Sequence, residues 1–457
     1  MGATPVISTK WLVKMTAHPG LPATLCAGNG AAPPLDFFSS IHPFERESAM
    51  PQALHTLPTP LRSVLVLGAG KVGSTIADMV AEAHQTPVTL ADQHPAIQPA
   101  TQPDDALVQH LQLDVRHPAA LSAALAQHPV VINALPYFLA QTVAPQAARL
   151  GVHYFDLTED VAATQAIRQL AVGARSLLMP QCGLAPGVIG MLGMQLAGGF
   201  DELFDLNLRV GALTRHATNR LRYNFTWSID GVINEYCQPC EAIVQGQRVI
   251  TQPLEGLEQL LLDGDTYEAF NTSGGLGTLC ETLQGRVRNL SYKTLRYPGH
   301  RDAMDFLLHD LRLVEQRDLL RQVLDRAVPH SRDDVVIVHA SATGLRQGRL
   351  EQQTRLARVL GAPLRGRQRT AIELSTAAGV VGVLELLQRG QLPSAGFVSQ
   401  EQVPLQALLA TRVGHHYAGL REQAGPGPDV APVLGSAAGP AVGVSERPSA
   451  EVLAVHA

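Results

Sequence analysis

The 457-residue sequence predicts an α/β protein with a doubly wound parallel sheet, followed by a second domain of the α+β class. Between residues 61 and 183, six short apolar runs alternate with segments of helical spacing, as in strands joined by crossover helices. From about residue 184 the pattern changes to longer alternating runs, such as 204–213 and 333–342. That alternation is typical of antiparallel strands with one buried face.

The first apolar run enters a turn that contains three glycines. It reads SVLVLGAGKVGSTIADMV over residues 63–80. A buried strand, a glycine turn and a helix in this order form the dinucleotide-binding fingerprint. Gly68 is expected to make the tight turn, Gly70 to let a pyrophosphate approach, and Gly73 to bring the helix against the strand. The helix N-terminus then offers free N–H groups to an anion.

The second run ends in an acidic residue, Asp92, which lies 19 positions after Gly73. A carboxylate there accepts hydrogen bonds from the adenosine ribose and repels the 2′-phosphate of NADP. No arginine follows in Gln93-His94, so we predict NAD rather than NADP. The alternative is that Asp92 only caps its strand and that Asp114 lies in a surface turn. The predicted cofactor-binding residues are Gly68, Gly70, Lys71, Val72, Gly73, Asp92, Asp114 and Asn133.

Polar residues occur at the ends of the later strands, where chemistry takes place in doubly wound sheets. Tyr137 follows the fourth strand and Asp156 ends the fifth. After the sixth, Leu-Ala-Pro-Gly at 184–187 predicts a helix start that can hold a carboxylate. The alternatives are that Asp156 caps a helix and that Tyr137 only covers the sheet.

Two dense polar and aromatic stretches lie in the second domain, at 223–231 and 292–300. Lys293, Arg296 and His300 fall close together in the second stretch, which suggests recognition of a carboxylate, with arginine suited to a two-nitrogen grip. Histidine is also the side chain best suited to proton transfer near neutral pH. The alternative is an exposed strand with alternating cations.

A loop rich in glycine spans residues 271–277, and it either approaches the substrate or only connects two elements.

Composition excludes several other classes of protein. The formal net charge is −5, so a nucleic-acid surface is not predicted, and the arginine-rich piece 346–369 fits a solvated strand or hairpin better. No run of about 18 apolar residues predicts a membrane span. Five scattered cysteines indicate a reducing compartment, so we predict a cytoplasmic protein. The lone Cys237-x-x-Cys240 pair is taken as incidental, and no metal is predicted.

The sequence divides into five predicted parts. The flanks lack clear apolar periodicity and are predicted to be poorly ordered, whereas a helix over 370–389 is predicted to return to the first domain. The parts are the extension 1–60, the dinucleotide-binding domain 61–183, the substrate domain 184–368, the helical return segment 369–421 and the tail 422–457.

Seven motifs together resemble a known family: VLVLGAGKVG, VTLAD, VVINALPY, GLAPGV, NFTWSIDGVINEY, FNTSGGLGTL and YKTLRYPGH. They are similar to those of the saccharopine dehydrogenase-like oxidoreductases, most closely the L-lysine 6-dehydrogenases, over about residues 63–340. The resemblance implies a Rossmann domain, a catalytic domain that also supplies oligomer contacts, and NAD(P)-linked chemistry at a carbon bearing nitrogen. It implies that the substrate site is lined by Tyr137, Asp156, Lys293, Arg296 and His300. We predict that Tyr137, Asp156 and His300 are catalytic and that Tyr223, Lys293 and Arg296 bind the substrate. The continuation over 341–420 is more similar to saccharopine-type reductases.

We therefore expect an NAD-dependent enzyme that oxidises an amine of an amino acid with a second amine, lysine first, as a homodimer or homotetramer. One alternative is a saccharopine-type enzyme that reduces an imine. The other is a non-catalytic NAD-binding sensor, which would have no need of the cluster of Lys293, Arg296 and His300.

Overall fold

A computed structural model describes residues 61–95 and 107–421, and the predicted extensions 1–60 and 422–457 lie outside these described residues. The six strands predicted for the first domain are all present and all parallel. They are β1 (Val64–Leu67), β2 (Val88–Asp92), β3 (Val108–Gln112), β4 (Val130–Asn133), β5 (His153–Asp156) and β6 (Leu177–Met179).

Helices cover both faces of this sheet, which explains why its strands are continuous apolar runs. Val64 and Val66 pack into the core on one face, and Leu65 and Leu67 pack into the core on the other, all with 0% exposure. The helices are α1 (Lys71–His84), α2 (Pro118–Leu125), α3 (Ala140–Leu150) and α4 (Val161–Leu170), and α5 (Val188–Ala197) follows β6.

The second domain is built on a mixed, eight-stranded sheet. Its strands are β7 (Glu202–Thr214), β8 (Cys240–Val244), β9 (Gln247–Thr251), β10 (Glu258–Leu262), β11 (Asp265–Asn271), β12 (Val287–Arg296), β13 (Asp334–Arg346) and β14 (Arg349–Leu360). The order is β10-β11-β12-β7-β13-β14, with β8 paired to β12 and β9 paired to β8, and β7 and β12 are parallel. The helices are α6 (Ile229–Cys237), α7 (Leu279–Leu283), α8 (His300–Asp305) and α9 (Arg317–Ala327). The arginine-rich piece largely forms β14, paired with β13 as an antiparallel hairpin.

The chain then returns to the first domain. After the small hairpin β15 (Ala362–Leu364) and β16 (Arg367–Arg369) come α10 (Ala371–Gln388), β17 (Gly396–Phe397) and α11 (Leu405–Leu409). Helix α10 packs against α1, and the buried Arg369 pairs with Asp78 of α1 at 2.5 Å. Strand β17 adds to β6, so the parallel sheet has seven strands in the order β17-β6-β5-β4-β1-β2-β3.

Helix α10 is long and apolar enough to span a membrane by length and composition, but 78% of it is buried inside the protein. It also lies extremely close to the loop after β6, because a Cβ on Gly379 would lie 2.7 Å from the carbonyl oxygen of Cys182. Both features are those of a core helix in a folded domain.

Candidate active site

The glycine turn after β1 has the geometry expected of a dinucleotide-binding loop. Gly68 has a φ of +97°, and a Cβ on Gly73 would lie 1.8 Å from the carbonyl oxygen of Gly68, so neither position accommodates a side chain. Apart from Gly70 and its two chain neighbours, no atom of the described residues lies within 4 Å of where a Cβ on Gly70 would be. The backbone of Gly70 therefore borders open space that a pyrophosphate can approach.

The helix that follows leaves its N-terminus available to an anion. Lys71 and Val72 begin α1, and their N–H groups are among those that have no partner inside a helix. Gly70 occupies the N-cap position and has no side chain that could accept a hydrogen bond from these N–H groups. The first turn of α1 also contains no acidic residue. These residues fit an NAD(P) pyrophosphate.

Asp92 ends β2 beside this turn. Its Oδ2 accepts a hydrogen bond of 2.9 Å from the N–H of Ala69, and its Oδ1 accepts one of 2.9 Å from the N–H of His94. Each carboxylate oxygen keeps a second lone pair, so Asp92 can still accept from ribose hydroxyls.

An arginine also lies near Asp92, although none follows it in sequence. The guanidinium of Arg116 donates from Nη2 to Gln93 Oε1 at 3.0 Å and forms a forked ion pair with Asp114. Hydrogen bonds from Arg116 lower the pKa of Asp114 to about 2. The sequence argument that no arginine is available near Asp92 therefore has to be corrected. Neighbouring parallel strands bring their carboxyl ends together, so an arginine in the turn after β3 lies beside the end of β2.

Asn133 and Asp156 belong to a buried network at the carboxyl edge of the sheet. Asn133 donates from Nδ2 to the Tyr154 hydroxyl at 3.1 Å, and this hydroxyl donates to Asp156 Oδ2 at 2.8 Å. Asp156 Oδ1 accepts from the N–H groups of Thr158 and Gln181. Burial raises the pKa of Asp156 to about 6. Both carboxylate oxygens of Asp156 thus form hydrogen bonds that connect the ends of β4, β5 and β6.

A cavity lies between this carboxyl edge and the second sheet, and neither Asp156 nor Tyr137 lines it. Tyr137 instead begins a short 3₁₀ turn and contacts Phe138. The cavity is lined by Leu157, Glu159, residues 183–186, Val210, Ala212, Trp227, Glu235, Tyr292, Thr294, Arg296, Ile372 and Thr376. This is the position where ligands bind in doubly wound sheets.

Arg296 is the predicted site residue that reaches the cavity. Its side chain is 1% exposed and lies over the ring of Tyr223, with Cζ 5.1 Å from the ring centroid. Nε donates to the Tyr236 hydroxyl at 2.9 Å, and Nη1 donates to Thr294 Oγ1 and the carbonyl of Leu295. Nη2 forms no hydrogen bond within residues 61–95 and 107–421. The expected two-nitrogen grip is therefore not available, and Nη2 alone is presented to a ligand.

His300 lies behind Arg296 rather than in the cavity. Its Nδ1 is 2.8 Å from the carbonyl of Leu221, which fixes the proton on Nδ1, and its Nε2 is 3.1 Å from the Tyr236 hydroxyl. Burial, together with the charge of Arg296, lowers the pKa of His300 to about 3. His300 is thus neutral near pH 7 and does not line the cavity, which argues against the predicted role in proton transfer.

Lys293 does not join Arg296, so the expected cationic cluster is not formed. Side chains three residues apart on a strand point to opposite faces of the sheet. Lys293 donates to the carbonyl of Gly256 at 2.6 Å and lies 3.5 Å from Glu258.

Two carboxyl groups of the cavity were missed by sequence reasoning. Burial raises the pKa of Glu235 to about 8, although the charge of Arg296 opposes this rise. Burial also raises the pKa of Glu159, whose Oε1 accepts from Asn234 at 3.3 Å. The available signals were an acidic residue in the last turns of α6 and another just beyond β5.

The glycine loop packs directly behind these carboxyl groups. Ser273 donates its N–H to the carbonyl of Glu235 at 3.0 Å. A Cβ on Gly274 would lie 2.9 Å from the carbonyl oxygen of Glu159, and one on Gly275 would lie 2.2 Å from the ring of Tyr292. Of the two interpretations of this loop, the structure thus favours an approach to the cavity.

Two family models match the chain: the saccharopine dehydrogenase NADP binding domain over residues 64–176 and the saccharopine dehydrogenase C-terminal domain over residues 183–413. Saccharopine dehydrogenase [NADP(+), L-glutamate-forming] of Pyricularia oryzae is 30% identical over 181 residues, which cover 38% of this chain and 39% of that protein. The mitochondrial alpha-aminoadipic semialdehyde synthase of Rattus norvegicus is 25% identical over 267 residues, 53% of this chain and 28% of that protein. These matches thus span less than two fifths of either relative.

Solved structures agree in fold. Apo saccharopine dehydrogenase (L-Glu forming) from Saccharomyces cerevisiae has a TM-score of 0.64 at 17% identity and covers 78% of this chain and 98% of that chain. Homospermidine synthase from Legionella pneumophila, in complex with NAD, has a TM-score of 0.57 at 13% identity and covers 78% of this chain and 89% of that chain. The finer likeness to lysine 6-dehydrogenases stays a prediction. Since the two family models cover both domains, the chain belongs to the saccharopine dehydrogenase family.

Proposed function

We propose that this protein is an NAD(P)-dependent oxidoreductase, with NAD preferred, that oxidises an amine-bearing carbon of an amino acid with a second amine, lysine first. The observation that carries the proposal is the charge pattern of the cavity. At the carboxyl edge of the nucleotide-binding sheet it presents the guanidinium of Arg296 together with the carboxyl groups of Glu159 and Glu235. Such a site suits a substrate that carries both a carboxylate and an amine.

Arg296 binds the substrate carboxylate through Nη2. Its other nitrogens are bonded to the protein, so the guanidinium is held in one orientation before the substrate arrives. A hydrogen bond to a charged group contributes about 1.5–3 kcal/mol to binding.

Glu235 accepts the proton of the substrate ammonium. A base is most effective when its pKa is close to the working pH, and the pKa of about 8 meets this condition. Glu159, just beyond β5, holds the amine end near the nucleotide-binding sheet. When bound to the turn of Gly68, Gly70 and Gly73, the nicotinamide cofactor supplies the hydride acceptor.

The same groups would serve a saccharopine-type reaction, in which an imine is reduced. The names of the relatives support this as the second candidate. We also propose a cytoplasmic homo-oligomer, supported by the scattered cysteines and the family resemblance.

The deciding experiment compares both directions with the purified protein. One assay follows formation of reduced cofactor with a panel of amino acids and diamines, and the other follows its consumption with glutamate plus an amino-acid aldehyde. Oxidation of lysine supports the proposal, and imine reduction alone supports the second candidate. If the protein binds the cofactor but catalyses neither reaction, the proposed enzyme function is refuted and the non-catalytic sensor takes its place.

A further inference from the structure

We propose that His300 is a positioning residue: acting through Tyr236, it holds the guanidinium of Arg296 in the orientation that presents Nη2 to a substrate carboxylate. This inference rests on the proposed function and deepens it, because it gives a role to a buried histidine that does not line the cavity. All three side chains are 1% exposed, so their hydrogen bonds to one another are shielded from solvent.

The turn after β12 brings His300 back beside Arg296. Arg296 is the last residue of β12, and His300 is the first residue of α8. Between them, Gly299 has a φ of +94°, which residues other than glycine rarely adopt. The N–H of His300 then donates to the carbonyl of Tyr297 at 3.2 Å. This reversal of the chain brings the histidine ring behind the guanidinium.

The hydrogen bonds of these groups allow one arrangement of protons. The carbonyl of Leu221 can only accept, so Nδ1 of His300, which lies 2.8 Å away, carries the proton. A neutral imidazole then accepts at Nε2, and the Tyr236 hydroxyl, 3.1 Å from Nε2, donates to it. The lone pairs of that hydroxyl are thereby left for Arg296, whose Nε donates to it at 2.9 Å. Burial, together with the charge of Arg296, lowers the pKa of His300, so this neutral form is the one present near pH 7.

Aromatic side chains restrict the rotation of the histidine ring. The His300 ring is nearly parallel to that of Phe270, with an interplanar angle of 13° and centroids 6.3 Å apart. Its centroid also lies 5.2 Å from that of Tyr223, whose ring lies under the guanidinium of Arg296. The ring is therefore fixed with Nε2 directed to Tyr236 before a substrate arrives.

The Tyr236 hydroxyl is one of two anchors that orient Nη2 of Arg296. The other anchor is Nη1, which donates to Thr294 Oγ1 and to the carbonyl of Leu295. Without an acceptor at His300, the hydroxyl rotates freely and its lone pairs are no longer directed to Nε of Arg296. Binding of a carboxylate should therefore weaken, whereas binding of an amine at the acidic end of the cavity should not.

The test uses calorimetric titration of the full-length protein with lysine and with 1,5-diaminopentane, which is lysine without its carboxylate. His300→Asn keeps a donor near Leu221 but does not reach Tyr236, so it should weaken lysine about fivefold and the diamine by less than about twofold. His300→Gln returns an amide oxygen to the position of Nε2 and should restore most of the affinity for lysine. His309→Asn is the control, since that histidine is 53% exposed and pairs with Asp305 instead.

A double substitution tests whether His300 acts through Tyr236. Tyr236→Phe alone should weaken lysine about tenfold, and adding His300→Asn should change this by less than about twofold. The proposal is overturned if the two effects add, if His300→Asn weakens both ligands equally or neither, or if His300→Gln binds lysine as weakly as His300→Asn.

The ring nitrogens of His300 give a result that needs neither ligand nor turnover. Nitrogen-15 NMR of the unaltered protein at pH 7 should show a neutral ring with its proton on Nδ1, and a proton on Nε2 would also overturn the proposal. Failure of the proposed function would instead appear as absence of both amine and imine turnover, while the binding and NMR results would still decide the role of His300.

Discussion

Replacement of Glu235 by glutamine tests whether a buried carboxyl group controls the chemistry of the cavity. Glutamine keeps the size of the side chain and removes its titration. Burial moves the pKa of Glu235 from 4.5 to about 8. Since each pH unit of such a shift corresponds to about 1.4 kcal/mol, the upper bound on the cost of the ionised form is roughly 5 kcal/mol. Water that enters the cavity screens this charge, so we expect about 2 kcal/mol.

The sign follows from proton binding. Because the pKa is higher in the folded than in the unfolded protein, the free energy of unfolding falls as the pH rises from about 4.5 to about 8. Glu235→Gln should remove this fall, so the variant should gain about 2 kcal/mol relative to the unaltered protein between pH 4.5 and pH 9. Denaturant titrations at several pH values measure the difference.

Activity should respond in parallel. We expect kcat/KM to fall about 10²- to 10⁴-fold and its pH profile to lose the limb near pH 8, because the proton acceptor is absent. Glu255→Gln, an exposed glutamate, is the matched control and should change neither quantity. A variant that keeps both the limb near pH 8 and the pH dependence of stability would refute the reasoning.

Three further outcomes follow from the geometry around Arg296. Arg296→Lys keeps the charge but loses the planar guanidinium, so KM for the amino acid should rise while KM for NAD stays within twofold; equal changes in both would contradict its role. His300→Asn should leave the shape of the pH profile between pH 5 and pH 9 unchanged, because the pKa of His300 is about 3, and loss of a limb near pH 6 would show that it titrates. Gly275→Ala should push the ring of Tyr292 into the cavity and cost about 1–3 kcal/mol in stability or in kcat/KM, whereas Gly198→Ala, which meets only ordinary contacts, should be tolerated; unchanged kinetics and melting for Gly275→Ala would contradict the packing argument.

The strands of the first domain could be predicted because both faces of its sheet are buried. Every residue from Val64 to Leu67 is apolar and buried, so the strand appears in the sequence as a continuous apolar run. Strand β17 has only two residues, and its pairing with β6 depends on the return of the chain, so local pattern did not reveal it. The helix over 370–389 was predicted within one residue at each end.

The candidate site was only partly predictable, because proximity in sequence is not proximity in space. Lys293 and Arg296 are close along β12 but point to opposite faces, whereas Arg116 reaches Gln93 from the turn after β3. Glu235 gave little signal, since one acidic residue in a helix normally faces solvent. His300 was expected to titrate because its surroundings, which determine its pKa, cannot be read from its position in the chain.

The return of α10 and β17 to the first sheet makes the nucleotide-binding domain discontinuous in the chain. During synthesis, residues 61–183 leave the ribosome well before the helix and strand that complete their sheet. The apolar surface that α10 covers on α1 is therefore exposed until the whole second domain has been made. The buried contact between Arg369 and Asp78 likewise forms only at that late stage. The nascent first domain thus depends on the last part of the described chain for its final stability, and the two domains mature together rather than one after the other.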